Sequence, residues 1–393
     1  MPAEPVTEHR HRFKGVMEVF WRFLALGSVS FGGPAAHIGY FRNLFVTKLG
    51  WIDDSAYGRL IALSQFLPGP GSSQIGFALG LRRAGLAGGI AAFLGFTLPS
   101  FLLLYLLAIY SPGDHGPGWF QGVVHGLKLF AVVIVADASL SMFTAFCRDR
   151  LSISLMVLTT ASLLLFPSLW SQLGVLIISA IGGAMFGKKK TVEIGPQRGL
   201  RGVPLIIFAG LFLILPLLGT QLEWVALFSG FYQAGSLVFG GGHVVLPLLQ
   251  QTLGDALPND RFLLGYAAAQ GVPGPMFSLA AFLGAESLSG QGFLGAVLAT
   301  LGIFLPGFLL VLGLQDAWEG LAARPLISSA AAGINASVVG LLLAALYQPV
   351  FTSAVSSAAE MALAVLGFFA LRTLKFPVVI LVGIFAVLGG LLG

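Results

Sequence analysis

Apolar runs of membrane-crossing length recur from residue 17 to the end of the chain, separated by short polar or basic stretches. Crossing the hydrocarbon layer takes about twenty apolar residues. The runs at 86–110, 169–186 and 203–218 approach or exceed that length. The first half predicts spans near 17–47, 57–80, 85–110, 119–146, 151–166 and 169–187. The second half predicts spans near 203–219, 224–251, 261–285, 291–314, 325–349, 354–371 and 376–392. The pattern is that of an all-α polytopic membrane protein with about thirteen transmembrane helices.

The pattern also repeats. GSVSFGGP at 27–34 returns as GSLVFGGG at 235–242, and the PGP of 68–70 returns at 273–275. Leu98-Pro99-Ser100-Phe101 matches Leu305-Pro306-Gly307-Phe308, and Gly126-Leu127-Lys128 matches Gly333-Ile334-Asn335. The landmarks keep their order and nearly their spacing, so the chain reads as a duplication. The organisation expected is an N-terminal cytoplasmic segment 1–15, a first repeat 16–187, a basic linker 188–202, an unmatched helix 203–222 and a second repeat 223–393. The unmatched helix reverses the second copy. Two homologous halves of inverted topology, with helices broken at GGP and PGP, are the expected architecture.

Basic residues test the inversion, because short cytoplasmic loops carry excess Lys and Arg. With the N-terminus in the cytoplasm of an inner (plasma) membrane, Arg82, Arg83, Arg148, Arg150, the 188–202 linker, Arg372 and Lys375 all fall inside. Arg42, Lys48 and Arg59 disagree, since this scheme puts them outside or in a re-entrant segment.

Composition agrees with the spans: 9% of residues are charged, 56% are hydrophobic and the mean hydropathy is +0.91. The basic N-terminus is followed by no small-residue cleavage site, so the first span is expected to remain. The single cysteine, Cys147, excludes an internal disulfide and a thiolate metal cluster. The net charge of +5 is spread over loops and the N-terminus rather than one polar face, which argues against nucleic acid. The six histidines are scattered without metal-ligand spacing, so neither metal nor cofactor is expected. GGAMFGKK at 182–189 departs from a phosphate-binding loop, because Lys189 stands where Ser or Thr is required.

Candidate chemistry therefore centres on the breaks. Non-helical backbone at membrane depth is tolerated where it is buried in protein or lines a cavity. Glycine admits the dihedrals, and proline restarts a helix without losing a hydrogen bond. Each restarted helix directs free N–H groups and a positive dipole end inward, which suits an anion. The expected anion-binding set in the first copy is Gly32, Gly33, Pro34, His37, Gln65, Pro68, Gly69, Pro70, Gly71, Ser72 and Ser73. In the second copy it is Gly240, Gly241, Gly242, His243, Gln270, Pro273, Gly274 and Pro275. Lys128 interrupts an apolar run, and an ammonium there marks an ion path or snorkels to an interface. Its mate is the neutral Asn335, and Asp137 is the candidate proton relay.

FGGP at 31–34, QFLPGPG at 65–71, FGGGH at 239–243 and GVPGP at 271–275 together make the chain resemble the chromate ion transporter family in its long, two-domain form. The resemblance covers nearly the entire sequence. It implies export of chromate from the cytoplasm of bacteria and chromate resistance, with sulfate as the structural analogue. Alternatives are a transporter of sulfate or another tetrahedral oxyanion, a passive channel, and an enzyme acting on a lipid phosphate. The enzyme would need a nucleophile or metal with a convergent acid and base, and no such cluster is visible. Chromate or sulfate and the bilayer are the expected partners, and a homodimer is admitted.

Overall fold

In the computed structural model, residues 5–112, 117–187, 199–219, 222–239, 242–253, 257–288, 290–317 and 324–392 are described. Among them every regular element is helical. The first copy comprises α1 (Pro5–Val29), α2 (Gly33–Phe41) running on through a π-helical Arg42–Lys48, α3 (Asp54–Phe66), α4 (Gly71–Tyr110), α5 (Gly118–Phe146), α6 (Arg150–Leu165) and α7 (Leu169–Phe186). The unmatched α8 is Gly202–Leu218. The second copy comprises α9 (Glu223–Leu237), α10 (Val245–Leu253), α11 (Asn259–Gly271), α12 (Leu279–Ser287), α13 (Gly292–Leu314), α14 (Pro325–Ala345), α15 (Ala358–Arg372) and α16 (Val378–Leu392).

Four helical stretches are long and apolar enough to cross a membrane: Gly71–Tyr110, Gly118–Phe146, Gly292–Leu314 and Pro325–Ala354. Along the outer stripe of α4, Leu86, Ile90, Leu94, Leu98, Leu102 and Leu106 are all exposed at four-residue spacing. In water such a stripe would aggregate; against lipid it needs no cover. The protein is a multi-pass integral membrane protein.

α4 is not a forty-residue rod. Ala84 and Gly85 leave helical geometry, with Gly85 at φ 67°, and the arms 71–83 and 86–110 fold back as a hairpin. A Cβ on Gly80 or Gly88 would strike the other's carbonyl oxygen, so glycine is what lets the arms close. The second copy builds the same hairpin from α12 and α13, with Gly284 against Gly295.

Two contacts fix the direction of each copy. The Arg83 guanidinium lies 5.1 Å over Trp51 and donates to Glu18, so the connector before α3 lies at the end of the molecule where the α4 hairpin turns. At the opposite end of α4, Arg261 donates to the Pro112 carbonyl at 3.1 Å and to the Ser111 hydroxyl at 2.8 Å. α3 and α11 therefore enter from opposite ends. Of the two alternatives for Arg42, Lys48 and Arg59, outside or in a re-entrant segment, this placement fits the re-entrant one. The 17–47 run is long enough to cross, but Gly32 and Gly33, at φ 95° and 72°, reverse the chain. α2 then returns toward the Arg83 end, where Phe45 packs 4.7 Å from Trp51. The 57–80 run divides in the same way at Pro68-Gly69-Pro70, into α3 and the first arm of α4.

The copies interlock. α6 and α7 of the first pack on α14 of the second, while α15 and α16 of the second pack on α5 of the first. Both crossings use glycine pairs, Gly183 with Gly333 and Gly126 with Gly389, where an added Cβ would run into a facing backbone carbonyl. Lipid gives no hydrophobic drive between helices, so such close backbone packing holds them. Between the copies Phe77 stacks on Phe308 at 4.5 Å, and Phe93 meets both Phe304 and Phe308 at 5.1 Å.

Candidate functional site

The breaks meet reciprocally. The Gly69 N–H donates 2.7 Å to the carbonyl of Val238, and the Gly274 N–H donates 2.9 Å to the carbonyl of Ser30. Each PGP thus holds the chain just before the other copy's glycine-rich break. Both central glycines have positive φ, 116° and 103°. Both are also crowded: a Cβ on Gly69 would come 3.1 Å from the Gly307 Cα, and one on Gly274 2.8 Å from the Ser100 hydroxyl.

Around the first break His37 is fully buried. Its Nδ1 lies 3.2 Å from the Ser72 hydroxyl, its Nε2 3.2 Å from the Ser30 carbonyl, and Phe96 meets it edge-on at 5.1 Å. Ser100 and Ser278 share a 2.7 Å hydroxyl hydrogen bond across the copies. Gln74 donates 2.8 Å to the Pro68 carbonyl and points toward Gly307. Gly32 precedes α2, with Pro34 in its first turn, Pro70 precedes α4, and Pro275 precedes the turn leading into α12; none of these starts has a side-chain cap. Asp53, Asp149, Ser168 and Ser357 cap α3, α6, α7 and α15, while α5, α8, α11, α13 and α14 also start without a side-chain cap. The Ala56 N–H holds the Asp53 carboxyl below the usual carboxylate range.

Several buried polar atoms here have no partner: the hydroxyls of Ser30, Ser73 and Thr97 and the amide oxygen of Gln74. Buried hydroxyls are ordinarily satisfied. The three hydroxyls can donate, whereas the Gln74 amide oxygen only accepts, so the surroundings of the first break hold three unpaired hydroxyls.

The expected residues do not all gather there. His243 lies in the second copy, with Nδ1 2.9 Å from the Tyr266 hydroxyl. Gln270 donates to the Met276 sulfur, and Gly242 packs against Met276. Gln65 is exposed and Asn335 is half-buried on α14. Gly240 and Gly241 lie outside the described residues. Lys128 stands apart, with Nζ 2.7 Å from Asp260 at the start of α11. The thirteen-residue α11 separates that position from the PGP by roughly 18 Å at 1.5 Å per residue. Asp137 accepts from Arg372 at 3.0 Å. Sequence reasoning missed Ser30, Gln74, Thr97 and Ser100. Ser100 carried a signal, since it sits in the matched LPSF motif opposite Gly307.

Comparison with known proteins agrees with the duplication. A model of the chromate transporter family matches residues 17–187 and again 225–391. An uncharacterized transporter of Methanocaldococcus jannaschii is 28% identical over 342 residues, 84% of this chain and 83% of that protein. A chromate transport protein of Pseudomonas aeruginosa is 27% identical over 335 residues, 83% of this chain and 79% of that protein. One of Cupriavidus metallidurans is 26% identical over 332 residues, 82% of this chain and 80% of that protein. No solved structure matches.

Proposed function

The chain belongs to the chromate transporter family, and from that premise we propose that it is a secondary transporter exporting chromate from the cytoplasm, with the dianion bound where the breaks of the two copies meet. One observation carries the placement of the site. Gly69 and Gly274 each clasp the opposite copy's break, beside buried hydroxyls that lack partners. A tetrahedral oxyanion accepts hydrogen bonds on every oxygen, and uncapped helix starts with serine and threonine hydroxyls supply donors of the required kind. His37 holds Ser72 in place there.

Inverted copies give a route to alternating access, because rocking one against the other opens a fixed midplane site to each face in turn. The cytoplasmic side is the Arg83 end. Arg42, Lys48 and Arg59 join Arg82, Arg83 and Arg148 at that end, which strengthens the basic-residue argument for an N-terminus in the cytoplasm of an inner membrane. A potential of 100 mV is worth about 2.3 kcal/mol per charge, so a dianion leaving a negative interior gains roughly 5 kcal/mol. That drive needs no coupling ion, and Asp137 is already engaged by Arg372. Export by this route would confer chromate resistance.

Helix termini read charge and shape, which sulfate shares with chromate. Inside-out vesicles bearing the protein are expected to take up labelled chromate saturably, with sulfate as the weaker competitor. Sulfate uptake exceeding chromate uptake would reassign the cargo, and uptake no greater than in empty vesicles would overturn the transporter reading.

A further inference from the structure

The two ends of the molecule are topological mates but chemical opposites. In the register that superposes Pro68–Pro70 on Pro273–Pro275, Asp260 and Arg261 correspond to Ser55 and Ala56. In the register of Gly126 and Gly333, Lys128 corresponds to Asn335. At these matched positions the charge lies at the α11 end.

There Lys128 of α5, with only 10% of its side chain exposed, donates at 2.7 Å to Asp260 of α11, which is 56% exposed. The next residue, Arg261, is buried and ties three elements together. It pairs with both carboxylate oxygens of Glu286 on α12, bonds Ser111 and Pro112 beyond the end of α4, and lies 5.3 Å over the Phe282 ring. α11 is thereby held down on α5 and α16. Elsewhere between the copies, an apolar cavity of about 660 Å³ runs between Phe66, Leu67 and Pro68 at the inner tip of α3 and Ala330, Ala331 and Ile334 of α14.

The ionic end is not sealed. A polar cavity of about 440 Å³, lined by Gln121, His125, Lys128, Asp260 and Glu360, reaches the ion pair. An anion moving along this face meets Lys128 already occupied by a carboxylate.

We propose that Asp260 is a tethered competitor of the transported oxyanion: its carboxylate takes the place on Lys128 that a tetrahedral dianion takes during transport, so anion arrival and the unlatching of α11 are one event. Asp260 is then a specificity-determining residue, because a dianion displaces a carboxylate from an ammonium more readily than a monoanion does. Arg261 and Glu286 are positioning residues that return α11 to α5 once the anion has gone. The inference rests on the chain carrying oxyanions, as proposed above.

The test uses the full chain with Cys147→Ser and a reporter, Gln121→Cys, in the wall of the polar cavity. Two quantities are read: the labelling rate with a membrane-impermeant maleimide in liposomes, and binding of sodium chromate, sodium sulfate and sodium nitrate to purified protein. Asp260→Asn is expected to raise labelling several-fold without anion, to tighten chromate binding about tenfold, equivalent to about 1.4 kcal/mol, and to narrow the preference over nitrate. Asp260→Glu is expected to restore the parent values. Lys128→Gln is expected to weaken binding, and adding Asp260→Asn to it should change binding no further. A purely structural pair would instead lower thermal stability in both single variants and leave affinity and selectivity unmoved, which overturns the proposal. Labelling unchanged by Asp260→Asn would remove the latch alone. A parent protein that binds no oxyanion, yet labels faster on Asp260→Asn, would overturn the function reading and the competition while keeping the latch.

Discussion

The Ser100–Ser278 hydrogen bond joins the second arm of α4 to the turn before α12, and both side chains are fully buried. Ser100→Ala strands the Ser278 hydroxyl where neither water nor lipid can satisfy it, whereas Ser278→Ala leaves Ser100 its 3.0 Å bond to the Thr97 carbonyl. Interhelical hydrogen bonds in membranes average about 0.6 kcal/mol, whereas an unsatisfied buried group costs about 1–3 kcal/mol. Ser100→Ala should therefore cost about 1 kcal/mol, Ser278→Ala less, and the double variant no more than Ser100→Ala alone. A double-mutant cycle on unfolding in detergent checks this, and additive losses would mean that the two hydroxyls act separately. At this scale the glycines and prolines of the breaks were legible, because few residues other than glycine adopt φ near 100°. The partners of Lys128 and Ser100 were not. Asp260 is 132 residues from Lys128 and Ser278 is 178 from Ser100, and nothing local in either sequence encodes such pairings.

Helices in this fold are shorter than their apolar runs. Hydropathy reads 17–47 as one crossing, because a chain that turns back at the midplane is as apolar as one that goes on. The positive φ of Gly32 and Gly33 decides between the two, and it returns Arg42 and Lys48 to the Arg83 end. The break at Gly85 was legible, since the spans near 57–80 and 85–110 part around the Arg82–Arg83 pair, but a hairpin as tight as Gly80 against Gly88 was not. The element-scale prediction follows from direction. With Cys147 replaced by serine, single cysteines at the exposed positions Lys48 and Asn259 should label from opposite faces, Lys48→Cys from the cytoplasm and Asn259→Cys from outside. Labelling of both from one face would contradict the entry of α3 and α11 from opposite ends.

At the scale of the molecule, duplication was visible in the sequence but interlocking was not. A repeat says which residues are alike and nothing about which copy each helix packs against. Here α7 crosses α14 at Gly183 and Gly333, and α16 crosses α5 at Gly126 and Gly389, so each copy completes the other. The asymmetry between the ends matters as much as the likeness. Ion pairs at Asp260 and Arg261 hold the α11 end, and an apolar cavity lies beside the tip of α3. The function proposed for this chain is movement of a chromate dianion down the membrane potential. Purified protein in liposomes, with the potential set by potassium and valinomycin and the pH held equal across the membrane, tests it most directly. Saturable chromate flux toward the positive side is expected, rising as the potential is increased and falling when Ser30 and Ser73 are both replaced by alanine. Flux that requires a pH gradient and ignores the imposed potential would contradict it.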